Sequence, residues 1–169
     1  MKNTYHIFLY IICVSILTLT GCVNSKSSQD PEQLFAEMYK DCSMNKDLRL
    51  SPEKPAYIGG EDVDLLLESI SDSSVIFPAG YNFKLLQFDN GEGKWMEKEN
   101  HAQYLPLDGR KIFGKNNPNN IGYVQKFIPI NPIVNEKTSL RVALHGHIYK
   151  DGVETKECSG AFTDIVVSP

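Results

Sequence analysis

"SLRVALHGHIYKDGVETKE", residues 139–157, alternates apolar and polar residues on its way into a turn. Leu140, Val142, Leu144 and Ile148 share one face, the period of a half-buried strand rather than of a helix. Lys150-Asp151-Gly152 supplies the turn, and "VETKE" and "GAFTDIVV" (160–167) carry the chain back as strands. Outward from this hairpin the same period recurs. "GYVQKFIPI" (122–130) reads as a strand that Pro129 and Pro132 bring to an end. "YNFKLLQFDNGEGKWMEKE" (81–99) reads as a hairpin turning at Asp89–Gly93, with Trp95 opening the return. "EDVDLLLESI" (61–70) sets Val63, Leu65 and Leu67 on one face, with Asp62, Asp64 and Glu68 on the other. About eight short strands fit between residues 47 and 169, with no long helical segment among them. The expected fold is therefore mainly β, an antiparallel β-sandwich with a core of its own.

The chain before residue 47 has other periods. Asp30-Pro31-Glu32-Gln33 is a helix start, with Asp30 as cap and Pro31 at the first helical position. Leu34, Phe35, Met38 and Tyr39 then recur at helical spacing, so residues 31–46 are expected to hold a short amphipathic helix docked on the domain. Residues 23–30, "VNSKSSQD", are small and polar and read as a tether. Residues 1–21 begin with Lys2 and contain the apolar run "IFLYIICVSILTL" (7–19), which suits a signal peptide and is short for a membrane span.

"LTGC" (19–22) resembles the bacterial lipobox. The resemblance implies a diacylglyceryl group on Cys22, cleavage before it, and a cell membrane anchor on the extracytoplasmic face. Each buried acyl methylene adds about 0.8 kcal/mol to that anchor. Val23 is not the aspartate that such proteins use for inner-membrane retention, which implies the outer membrane in a Gram-negative cell. Further on, "AYIGGEDVDLLLESISDSSVIFPAGYNFKLLQFDNGEGKW" (56–95), with "LRVALHGHIYKDG" and "CSGAFTDIVV" near the end, resembles bacterial immunoglobulin-like domains of exported and lipid-anchored proteins. That likeness spans residues 47–167. It implies an immunoglobulin-like antiparallel β-sandwich used for binding or scaffolding within the envelope, without catalysis.

Charge and cysteines limit the partners. The net charge of −4 offers nucleic acid no general attraction. Loss of Lys2 with the leader takes it to −5, so membrane contact is assigned to lipid on Cys22. Cys13 lies in the leader, which leaves Cys42 and Cys158 as an expected disulfide closing a loop of about 116 residues. On chain entropy such a bridge contributes roughly 4–5 kcal/mol. Two free thiols are the alternative. Metal binding by the two thiols is not expected, because neither a CxxC nor a nearby histidine completes a set.

Few residues suggest chemistry. His145 and His147, two apart on a strand, share a face and with His101 or an acid could hold a metal; a solvated strand face explains them more simply. Glu61, Asp62, Asp64 and Glu68, and the turn "DNGEG" (89–93), lack the spacing of a calcium loop. There is no GxSxG elbow and no phosphate-cradling glycine loop, and Ser159-Gly160 reads as part of a turn. No catalytic residue, metal ligand or organic cofactor is assigned. The stretch "DGRKIFGKNNPNNIGY" (108–123) reads as a long loop, with Arg110, Lys111, Ile112 and Phe113 as a partner-binding patch. The function expected is a non-catalytic binding or scaffold module with an envelope protein partner. An exported enzyme inhibitor on the same sandwich is the first rival, and a surface-polymer hydrolase the second.

Overall fold

Leu140, Val142 and Leu144 are fully buried, as the alternation of the 139–157 stretch requires, and the strand that holds them is the axis of the molecule. The structure, a computed structural model, describes residues 30–99, 110–118, 125–130 and 132–169. Cys22, the leader and most of the tether lie outside the described residues, as does His101.

The described residues are mainly β, with one α-helix, α1 (Pro31–Met38), and eleven strands. In chain order these are β1 (Cys42–Met44), β2 (Leu48–Pro52), β3 (Ala56–Ile58), β4 (Val63–Ser69), β5 (Ser74–Phe77), β6 (Lys84–Asp89), β7 (Lys94–Glu97), β8 (Arg110–Ile112), β9 (Gln125–Ile130), β10 (Thr138–Lys150) and β11 (Val153–Ser168). The larger sheet centres on β10 and β11. β5 and β6 pair with the free side of β10, β8 with β5, and β7 with β6, while β1 and β3 lie along the free side of β11. The smaller sheet runs β2-β4-β9.

One core lies between the sheets. Leu48, Leu50, Val63, Leu65 and Leu67 of the smaller sheet meet Val75, Phe77, Leu140, Val142, Leu144, Ile165 and Val167 of the larger one. Full burial of a side chain of this kind contributes about 1.5–3 kcal/mol. Val63, Leu65 and Leu67 thus take the inward face that their alternation assigns them.

Two features depart from the expectation. Two pairings are parallel, β1 with β11 and β3 with β11, so the fold is not purely antiparallel. Both join segments that enter alongside β11 in its own direction, at edges where no hairpin sets the sense of pairing. Secondly, the last hairpin is two long strands rather than three short ones. Between the pairs His147–Cys158 and Tyr149–Glu154, β10 has one residue and β11 three, and Thr155 closes the bulge by donating Oγ1–H to the Ile148 carbonyl, 3.0 Å away. The helix expected in residues 31–46 does dock on the domain. Phe35 and Tyr39 of α1 and its C-cap pack with Leu86, Ala143, Trp95 and Phe162 on the outer face of the larger sheet, opposite the main core.

Turns follow their residue chemistry. Asp151 and Gly152 both have positive φ (53° and 84°), as a two-residue hairpin loop of this twist demands. At the other hairpin Asp89 Oδ1 accepts from the backbone N–H of Gly91 (2.8 Å) and Glu92 (3.0 Å), which holds its carboxyl below the ordinary carboxylate range.

Candidate functional site

The helix start is formed as its residues predict: Asp30 Oδ1 accepts from Glu32 N at 3.0 Å, and Pro31 occupies the first turn. What seats it lies far along the chain. Arg141, on the outer face of β10, is only 4% exposed. Its guanidinium binds Glu32 of α1 through two bonds (3.0 and 2.6 Å) and Asp164 of β11 through two more, both 2.7 Å. The rings of Phe35, Trp95 and Phe162 surround it at 4.6, 4.8 and 4.6 Å from the guanidinium carbon. Burial alone would lower the Arg141 pKa, but the bonds from Asp164 and Glu32 outweigh it and raise it above the ordinary arginine value. Trp95 completes the seat by donating Nε1–H to the Pro31 carbonyl at 2.9 Å.

From this seat α1 leads to β1, and β1 is tied to β11 by the Cys42–Cys158 disulfide. The two cysteines are direct register partners, with Cα atoms 4.5 Å apart. The bridge therefore links neighbouring strands of one sheet. His145 lies beside it, with Nδ1 3.7 Å from Cys158 Sγ and its ring edge-on to Tyr39. Burial, then the neighbouring His147 and Lys84, lowers the His145 pKa and keeps the imidazole neutral. The histidine absent from the sequence neighbourhood of the cysteines is thus supplied by the fold. The ligand atoms of Cys42, Cys158 and His145 all lie within 4.8 Å of one another. His147 does not join them; its Nδ1 faces Glu154 Oε1 at 3.0 Å.

Next to the bridge an open cleft of about 600 Å³ lies at the end of the sheets where β10 turns into β11. Asp41, Asp47, Asp72 and Glu157 line it with Lys46 and Lys150, four acids against two bases. Asp47 is buried, accepting from Ser71 Oγ at 2.7 Å and Ser159 Oγ at 2.9 Å, so one carboxylate binds the lead-in to both neighbouring segments. Ser159 is accordingly a fully buried strand residue and not part of a turn.

The residues assigned to a partner-binding loop fall in and after an edge strand. Arg110, Lys111 and Ile112 form β8, and Ile112 is buried in the main core, so it offers a partner no surface. Lys111 reaches over the Tyr149 ring, Nζ 3.2 Å from its centroid, and Tyr149 lines the cleft. Phe113, half-buried, follows β8. An apolar residue between basic ones has the same local pattern in a loop and in an edge strand, which is why the sequence did not separate them. Residues 108, 109 and 119–123 of that stretch lie outside the described residues.

Among the described residues no helix is long and apolar enough to cross a membrane. The chain matches no protein-family model, no curated protein and no solved structure.

Proposed function

We propose that this chain is a lipid-anchored envelope protein, held through Cys22, whose immunoglobulin-like sandwich acts as a non-catalytic binding module. The observation that carries the reading is the separation of anchor and cleft. The tether joins α1 at Asp30, beside the Arg141–Glu32–Asp164 clamp, and the cleft opens by Lys150 and Cys158. Arg141 and His147, the register partner of the cleft residue Cys158, are six positions apart on β10, roughly 20 Å at the rise of a strand. A domain tethered at one end and grooved at the other presents the groove away from its anchor. Two sheets around one core support the immunoglobulin-like reading, and the short polar tether suits an anchor held close to a surface. The acid-rich lining favours a partner segment that brings lysine or arginine.

The test is crosslinking and pull-down of the full-length chain from its own cells, with Cys22→Ser and the double charge reversal Asp41→Lys/Glu157→Lys alongside. A defined envelope protein captured by the parent and lost from both variants is the expected result. Capture unaffected by the charge reversal would move the binding surface away from the cleft. A Cys22→Ser chain that still sediments with membranes would overturn the lipid anchor.

A further inference from the structure

Gly160 marks a convergence of sulfur and nitrogen donors that the disulfide conceals. On β11 it has Met44 of β1 as its register partner on one side and His145 of β10 on the other. A Cβ at Gly160 would stand 2.5 Å from the Leu144 carbonyl oxygen, 2.7 Å from Met44 Sδ and 2.9 Å from His145 Cβ, so Met44 and His145 both border the space that the absent side chain leaves. Cys42 shares a face with Met44, two residues on, and Cys158 shares one with Gly160. All four side chains therefore gather on the outer face of the larger sheet, where Phe35 and Tyr39 wall them from one side. His145 Nδ1 is already 3.7 Å from Cys158 Sγ, and Asn82 Nδ2 donates to the His145 carbonyl at 3.2 Å, holding that stretch of β10 in place.

We infer that reduction of the Cys42–Cys158 bridge converts this cluster into a site for a cuprous ion, with Cys42, Cys158 and His145 as ligands and Met44 as a fourth donor. Two thiolates, an imidazole and a thioether form a soft donor set, which selects Cu(I). The thioether sets it apart from a zinc site, whose ligands are thiolate, imidazole and carboxylate. The step needs a dithiol reductant. It gives two electrons and two protons to the bridge and leaves as its own disulfide, while Cys42 and Cys158 become thiols. Cu(I) then displaces the two thiol protons to solvent. While the bridge is intact the sulfurs are bonded to each other and no thiolate is present, so loading is gated by redox state.

The experiment uses the full-length chain in detergent with Cys13→Ser and Cys22→Ser, which leaves only the two thiols in question. Oxidised and dithiol-reduced samples are titrated anaerobically against a chromogenic Cu(I) chelator, with far-UV circular dichroism recorded on each. The reduced chain is expected to withdraw one Cu(I) and the oxidised chain none. His145→Ala should weaken uptake about tenfold or more. Met44→Leu, close to it in volume, should weaken uptake while leaving the melting temperature of the oxidised chain unchanged. Equal uptake by oxidised and reduced chains would overturn the site, as would parent-like affinity in both variants. A reduced chain that loses its β spectrum and does not recover it with Cu(I) would overturn it too.

Discussion

Arg141 interrupts an otherwise apolar stretch of β10, and its place there follows from what its guanidinium touches. Four bonds to two carboxylates and three aromatic rings hold it at the junction of α1, β10 and β11. Glu32 and Asp164 are 61% and 47% exposed, so solvent screens their charges, and much of the value of the contact lies in packing and cation–π attraction. Arg141→Ala is expected to cost about 1–3 kcal/mol, read as a lower urea midpoint with an altered Trp95 emission. Arg141→Lys should recover only part of this, because an ammonium cannot form the two forked pairs. His145 acts through its protonation. Burial holds it neutral in the fold, so below its ordinary value of 6.5 the unfolded chain takes up the proton more readily. Stability is present in full above that pH and declines as pH falls below it. Urea midpoints at pH 7.5 and pH 5 should differ more for the parent than for His145→Gln.

At the scale of elements, β1 is three residues long and held to β11 by a parallel pairing and one covalent bond. Cys42→Ser/Cys158→Ser should lower stability by about 4–5 kcal/mol on loop entropy, while the chain keeps its β-sheet circular dichroism. A loss below about 1 kcal/mol would mean that the bridge takes little entropy from the unfolded chain. The strands were the legible part of this fold, because Val63, Leu65 and Leu67, or Leu140, Val142 and Leu144, declare their inward face by period alone. The helix start was equally plain in Asp30-Pro31. The bulge at 155–157 was not, since alternation simply breaks there and a break reads as two strands. Nor was β1 as a strand, because "CSM" is too short to show a period and its partner lies 116 residues on. The long separation of Cys42 and Met44 from the last hairpin hid the candidate site: they meet His145 and Cys158 only through strand register, which no local spacing encodes.

Among the described residues, one sheet joins two apolar clusters. The main core lies on the inner face of β10 and β11, and the α1 cluster with Trp95 on the outer face. A helix clamped by Arg141 on the back of that sheet has no separate core to retain when the sheet opens. Fluorescence of Trp95, the single tryptophan, should therefore follow the same urea transition as far-UV circular dichroism. An earlier fluorescence transition would show the helix leaving first, as an appended lead-in would.

The bridge also decides how the molecule carries load. Tension entering from the N-terminal side reaches Cys42 by way of α1, and the covalent bond then passes it directly to Cys158. The strands from β2 to β10 lie inside the closed loop and cannot be drawn out while it holds. Pulled between its two termini, the oxidised domain yields only its end segments. Reduction adds the loop of 116 residues to the extensible length, roughly 400 Å of contour. The disulfide is thus a mechanical fuse: intact, it limits the stretch of the domain to its ends, and opened, it makes the fold itself the extensible part.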